Sequence, residues 1–378
     1  MSADRLAVLR ADARAIAAAA ARAVDAGMLV RRGSPPLPDR IRVLGAGKAA
    51  AAMARAVEAI AGDRIVDGLV VVPDGYGATL DRIAVRTAGH PVPDARSELA
   101  GRALLARVAA ASPGDVFVGL WSGGASALIE VPADGWTIAG IAAATADRVR
   151  AGVDIAALNA ARAGWSRIKG GQLAAAGPAS WINLVLSDVP GDDPALVGSG
   201  PAVRPGDGTV VVGGLGDALA AAKAEAFALR YAVVVLDPEL RGEAADAGRR
   251  LAAAIRALPD GNPPMALLLA GEPVVSGVPA GAIGGRMQEL ALAAALGLEG
   301  APAVVLATST DGRDGQSDAS GALIDGATVA RIRAAGHDPV EAQALHRTTA
   351  ALDAAGDALR TGPTGTNVRD LVIALVGG

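Results

Sequence analysis

Leu184–Pro194, LVLSDVPGDDP, places three aspartates within six residues, directly after an apolar run that reads as a buried strand. Like charges packed this closely repel, so Asp188, Asp192 and Asp193 need a counter-charge: a metal ion, basic side chains or water. Mg²⁺ takes oxygen ligands, keeps several waters and is commonly shared with substrate phosphates. The three aspartates are therefore candidate Mg²⁺ ligands, with Asp188, at the strand end, also a candidate base. Asp192-Asp193-Pro194 reads equally well as turn and cap chemistry.

Two cations stand at predicted helix starts. Gly45-Ala46-Gly47-Lys48-Ala49-Ala50 fits the loose pattern of a dinucleotide turn, whose backbone N–H groups approach a phosphate. Lys48 then opposes the helix dipole, which suggests that an anion compensates it; a tight turn with a solvated lysine is the competing reading. GAIGGRMQE brings Arg286 to a helix start in the same way, and its fork suits phosphate or carboxylate. Ser122-Gly123-Gly124-Ala125-Ser126 is a second strand-to-helix turn that could form an anion nest, although it lacks nucleophile-elbow spacing. STDGRDGQSD (Ser309–Asp318) repeats the Gly–Asp device with Asp311, Asp314 and Asp318, but without the terminal Glu of a calcium loop. His90 in AGHPVPD, and Arg167 and Lys169 in SRIKGG, complete the candidates; the last two read more readily as a solvated loop.

Something must position these groups. Short β-branched runs at 41–45, 68–72, 82–87, 115–121 and 181–187 alternate with helical patterns near 48–61, 95–111, 138–150 and 154–163. That alternation predicts parallel βαβ units, and the candidate loops fall after the strands, where open α/β sheets carry function. A second set follows: strand 231–236, helix 239–257, strand 265–270, helix 286–297, strand 302–308, a helix near 348–359 and a last strand, DLVIALV. The fold class is α/β with two domains, the first Rossmann-like with a mostly parallel sheet, the second smaller. The boundary is placed at 235/236, giving 1–235 and 236–378. One alanine-rich helix over 4–27, ended by Gly27, precedes the first strand.

Composition narrows the function. The 378 residues are 52% hydrophobic and 20% charged with a formal net charge of −4, which argues against nucleic acid and anionic membranes as partners. No cysteine and three histidines without H-x-x-x-H spacing argue against a zinc site and a Cys nucleophile. Charges interrupt the N-terminal apolar stretch, so neither a signal peptide nor a span of ~20 apolar residues is predicted, and a cytoplasmic location is expected.

GAGKAAAAMA, GHPVPD, LNAARAGWSRIKGGQLA, LSDVPGDDPALVGSGP, GGRMQE, TDGRDGQSDASGA and TGPTGTNVRDL, in that order, resemble the D-glycerate 2-kinases of the MOFRL type from about residue 40 onward. The resemblance implies an active site in a cleft between two α/β domains. It also implies Mg²⁺-dependent phosphoryl transfer from ATP to glycerate, giving 2-phosphoglycerate. It makes Lys48 and Arg286 active-site residues. Three segments depart from the family pattern: Ala125 replaces a glycine, Pro273 and Met287 alter the segment around Arg286, and ALHRTTAAL stands where the family has Asn-Asp-Ser-Tyr.

The expected assignment makes Lys48, Arg286 and Asp188 catalytic. Gly45, Gly47, Ser122, Gly123, Gly124, Ser126 and Asp311 hold the nucleotide, and His90, Arg167 and Lys169 the substrate. Asp188, Asp192 and Asp193 hold the metal. A small hydroxy acid is the expected partner; a homodimer is compatible with the sequence, which does not set the oligomeric state. The alternatives are a nicotinamide-dependent hydroxypyruvate reductase, a kinase for a related hydroxy acid and a non-catalytic binder. Against the reductase, no acid stands ~20 residues beyond the glycines at a strand end: Asp67 opens a strand and Asp74 lies farther on.

Overall fold

Apolar runs rich in Val, Leu and Ala, each bounded by Gly, Pro or Asp, form the strands of two sheets. The computed structural model describes residues 3–151, 153, 155–259 and 261–377. The first sheet contains β1 (Ile41–Ala46), β2 (Ile65–Pro73), β3 (Ala84–Ala88), β4 (Val116–Trp121), β5 (Ser180–Leu186) and β6 (Gly208–Gly213). Its order is β3-β2-β1-β4-β5-β6, with every neighbouring pair parallel. This is the doubly wound order, whose direction of winding reverses between β1 and β4. Helices cover the sheet, so its strands read as near-continuous apolar runs. Leu44, Leu69, Phe117, Trp121 and Trp181 pack within one core, where the Phe117 and Trp181 rings stack at 4.8 Å.

The second sheet contains β7 (Ala232–Leu240), β8 (Met265–Gly271), β9 (Ala303–Ser309), β10 (Gly321–Asp325), β11 (Ala358–Leu359) and β12 (Asp370–Val376), in the order β11-β10-β9-β12-β8-β7. Only β7 and β8 pair in parallel, joined by the crossover helix Ala244–Arg256. The terminal strand β12 inserts antiparallel between β8 and β9, and β10 is antiparallel to β9 and β11. Strand–helix alternation identifies the crossover units. It carries no information about the direction of a last strand that arrives after a long segment.

The chain divides into two units. Residues 24–214 and 365–368 form the parallel-sheet unit; the N-terminal helix Ala3–Ala23, residues 215–364 and the segment from 369 form the mixed-sheet unit. The boundary expected from sequence at 235/236 falls inside β7, whereas the chain passes between units at 214/215. The helix Ala3–Ala23 packs on the helix Leu215–Ala228 and on β9 and β12. Arg10 pairs with Asp325 and with Asp357 at 2.9 Å, and the Tyr231 hydroxyl donates to Asp12 at 2.6 Å. Side chains far apart in sequence thus tie the chain's start to the second sheet.

The single helix expected over 4–27 is two helices. Asp25 accepts from the Met28 amide at 2.7 Å and caps a new helix, Ala26–Gly33, so Gly27 lies inside a helix instead of ending one. Residues 239–240 complete β7 and the next helix starts at Ala244, while the helix expected over 348–359 ends at Ala354, before β11. The start expected at 154 lies outside the described residues; the helix there is Ile155–Trp165. Among the described residues no helix is long and apolar enough to cross a membrane.

Candidate active site

In the parallel-sheet unit the GAGK and SGGAS turns leave adjacent strands, β1 and β4, at the point where the winding reverses. The two turns interlock. The Gly47 amide donates to Val71 O at 3.1 Å, Lys48 N to Gly123 O at 2.9 Å, and Ala49 N to the buried Ser122 hydroxyl at 3.1 Å. Gly47 has φ +131°, and a Cβ there would overlap Ser122. Gly45 likewise lies against Leu120, so both glycines serve close packing. This corrects the expected nest: the amides that would cradle a phosphate at residues 47–49 already have protein acceptors. What the turn delivers is the Lys48 side chain.

The second turn differs. Gly124 is left-handed at φ +90°, and the amides of Gly123 and Gly124 have no acceptor among the described residues. Side chains from four other loops converge on these glycines. A Cβ on Gly124 would lie 3.1 Å from the His90 ring and 3.5 Å from Lys48 Cγ. A Cβ on Gly123 would overlap both the Asp188 carboxylate and the Asn367 amide, and Asn367 Nδ2 donates to Asp188 Oδ2 at 3.0 Å. Lys48, His90, Gly123, Gly124, Asp188 and Asn367 therefore share one patch beyond the carboxyl ends of the strands. Ala125, in place of the family's glycine, begins a short helix without a positive φ, so the departure costs no strain.

The aspartate cluster does not hold as a group of three. Among the described residues no three acidic or histidine side chains are placed to hold a metal. Asp193 caps its own turn, accepting from Ala195 N at 2.9 Å; Asp192 is exposed at φ +53° with its carboxylate against Gly214. Turn geometry separates residues that sequence places together. Asp188 alone reaches the patch. Mg²⁺ in phosphoryl transfer needs only one or two protein carboxylates, with phosphates and water as the other ligands, and Asp188 suits that limited role.

The solvated-loop reading of SRIKGG holds for Arg167, which is exposed, but not for Lys169, which is buried in an ion pair; neither is among the side chains gathered at Gly123 and Gly124. Arg167 pairs with exposed Asp134. Lys169 is 2% exposed, paired with the fully buried Glu130, and donates to Ser126 O at 2.8 Å.

In the mixed-sheet unit Arg286 opens the helix Arg286–Gly297, and the anion that offsets its placement belongs to the protein itself. Asp314, from the STDGRDGQSD loop, accepts from Met287 N at 3.1 Å, Gln288 N at 2.8 Å and Gln288 Nε2 at 3.1 Å. Arg286 forks onto Asp370, the first residue of β12, with Nη2 at 3.2 Å from Oδ1, and its Nη1 lies 3.0 Å from Glu272. Burial works against the guanidinium's charge, but Asp370 and then Glu272 outweigh it and raise its pKa. Burial, then Asp370, push the Asp314 carboxyl up to about 7 despite the two amides it accepts. Burial also raises Asp370, against Arg286. Three of the five guanidinium N–H groups meet these carboxylates, leaving two for a ligand among the described residues. Asp311 is buried, accepting from Ser309 Oγ at 3.0 Å and Arg313 N at 2.9 Å, and Asp318 pairs with Arg360 at 3.0 Å. Met287 is fully buried in the unit's core.

Sequence reasoning missed Asn367 and Asp370. Each had a signal: an Asn amid Gly and Thr in TGPTGTNVRD, and an acid opening the apolar strand DLVIALV.

The chain matches the model of the domain of unknown function DUF4147 over residues 7–229 and that of the MOFRL family over residues 265–370. It is similar to the D-glycerate 2-kinase of Thermotoga maritima, 34% identical over 381 residues that cover 89% of this chain and 91% of that protein. The chain belongs to the MOFRL-type glycerate 2-kinase family. A crystal structure of the Thermotoga maritima glycerate kinase matches with a TM-score of 0.84 at 32% identity, over 98% of this chain and 99% of that one. Within the same family, a protein of Agrobacterium vitis with a provisional hydroxypyruvate reductase name is 36% identical over 386 residues, 89% of this chain and all of that protein.

Proposed function

We propose that this chain transfers the γ-phosphoryl group of ATP to the 2-hydroxyl of D-glycerate, forming 2-phosphoglycerate and ADP. Phosphoryl transfer asks a protein for positioning and charge neutralisation more than for covalent chemistry. The observation that carries the reading is the patch around Gly123 and Gly124, where a lysine, a histidine, a carboxylate and two backbone amides meet. In this assignment the Gly123 and Gly124 amides hold phosphate oxygens and Lys48 neutralises the transferred group, while Arg286, with two donors remaining, is the anion-binding cation of the mixed-sheet unit. His90 orients the acceptor. Asp188, held by Asn367, takes the proton as the glycerate oxygen bonds to phosphorus and the bond to ADP breaks. Asp188 would be the protein carboxylate for a bound Mg²⁺, which would supply charge neutralisation at the phosphates.

The reductase reading meets a specific obstacle. A dinucleotide turn presents its first helical amides to a pyrophosphate, and here those of Gly47, Lys48 and Ala49 donate within the protein. Asp74 does directly follow β2, the position of a ribose-binding acid, but Arg96 holds both its oxygens at 2.9 and 3.0 Å.

A paired assay tests the reading: coupled ADP release with glycerate, ATP and Mg²⁺, and NADH oxidation with hydroxypyruvate. ADP release dependent on glycerate is expected. NADH oxidation without ADP release overturns the proposal.

A further inference from the structure

The buried Lys169–Glu130 pair lies outside the patch, yet the lysine's other bond goes to the turn that builds it. Lys169 Nζ donates to Ser126 O at 2.8 Å, three residues after Gly123, and Glu130 Oε1 accepts from Val131 N at 3.0 Å. The Ser126 hydroxyl lies 2.7 Å from Ser199 Oγ, which donates to Asn159 Oδ1 at 2.9 Å. Ser199 has one proton and gives it to Asn159, so Ser126 donates to Ser199. Asn159 Nδ2 closes the chain on Leu196 O at 3.0 Å. Ser199 and Leu196 belong to the loop after β5 that also carries Asp188. That loop lies against the turn again at Gly198, where φ is +59° and a Cβ would come 2.6 Å from the Ala125 methyl.

A buried ion pair is a poor device for stability, because two desolvated charges regain little more than they lose. Burial lowers the Lys169 pKa, and Glu130 opposes that shift. What the pair does achieve is directional: it holds a charged donor on one carbonyl of the phosphate-side turn. We propose that Lys169, through Ser126, is a positioning residue that fixes the Gly123–Gly124 turn and keeps it in register with the Asp188 loop. This rests on the kinase reading, which gives those amides a phosphate to bind.

The test is the double variant Lys169→Met/Glu130→Gln, which removes both charges at near-constant shape and keeps an acceptor for Val131 N. We expect a folded protein whose Tm lies near the parent's, with kcat/KM for ATP lowered at least tenfold and KM for glycerate unchanged. Ser126→Ala, which leaves the ion pair intact, should give a smaller loss in the same parameter. A folded double variant with parental kcat/KM for ATP overturns the inference. So does an equal loss in the ATP and glycerate parameters that merely tracks a fall in Tm. If the double variant does not fold, Lys169→Arg, which keeps the charge opposite Glu130 but not the Nζ geometry on Ser126 O, decides, and a parental kcat/KM for ATP there is the overturning result. Calorimetric titration with Mg²⁺ and a non-hydrolysable ATP analogue separates the two claims. A parent that binds the analogue but does not phosphorylate glycerate defeats the kinase reading alone, and the double variant's weaker Kd then still tests Lys169.

Discussion

Two helices in this chain begin with the same sequence device, glycines followed by a cation, and the two units resolve it in different ways. At Lys48 the amides before the helix Ala50–Ala61 are satisfied by neutral groups, two backbone carbonyls and the Ser122 hydroxyl. At Arg286 the amides go to a buried carboxylate, Asp314, and the cation itself goes to a second, Asp370. The first solution carries no titrating group and relies on close packing between turns. The second concentrates charge in a desolvated place, where it depends on pH and on the survival of every partner. A cation at a helix start therefore does indicate an anion, but the anion need not be a ligand.

The largest expected contrast lies in the two cations. Lys48→Ala should lower kcat by ~10³-fold or more, the usual scale for a cation acting on a transferred phosphoryl group, with little change in Tm. Arg286→Ala should lower activity comparably and destabilise as well, because Asp370 is left buried without its counter-charge. The loss should be about 2–3 kcal/mol, toward the low end for broken buried pairs since the guanidinium is partly solvated. Steady-state kinetics beside thermal melts check both; a Tm loss in the Lys48 variant as large as in the Arg286 variant would erase the distinction between the units.

The pH dependence should separate them next. An aspartate in an unfolded chain titrates near ~3.9, while Asp314 in the fold titrates at about 7. Between those values the folded state binds more protons than the unfolded one, so this group's contribution to stability falls as pH rises from about 4 to 7. Asp314→Asn removes that titration. Its Tm should decline less than the parent's between pH 5 and pH 8, with a residual slope from Asp370, whose pKa is also raised. Identical slopes in parent and variant would mean that the Asp314 carboxylate is not the desolvated cap described above.

The smallest effect belongs to the neutral helix start. Ser122→Ala strands one buried amide, that of Ala49, at a cost of about 1 kcal/mol, or roughly 2–4 °C in Tm, with no dependence on pH between 5 and 8. A pH-dependent loss would show that a titrating group shares this turn.

How far the site was legible in sequence follows the range of the interactions involved. Lys48, Asp188, Gly123 and Gly124 stood out because glycines and charges at strand ends are unusual in a chain so rich in Ala and Val. Lys169 was misjudged for the opposite reason: its partner, Glu130, lies 39 residues away, so a local reading left it in solvent. The three aspartates misled because proximity in sequence is not proximity in a turn. Asp192 and Asp193 are directed away by a left-handed residue and by an Asx turn.

The sequence by itself determined five of the six strands of the first sheet and the loops that carry charge, since each rests on periodicity and strand-ending glycines, while β6 and the helix Leu215–Ala228 had no counterpart in that reading. Only the tertiary structure decided which amides remain available, because hydrogen bonds between turns leave no local trace. It alone assigned the N-terminal helix to the mixed-sheet unit, through Arg10 and Asp12 reaching partners more than 200 residues away. It also decided that Asn367 and Asp370, three residues apart in one segment, serve different units: one donates to Asp188 and the other holds Arg286. Residues that act across such sequence distances owe their roles to packing, and packing is settled only when the whole chain has folded.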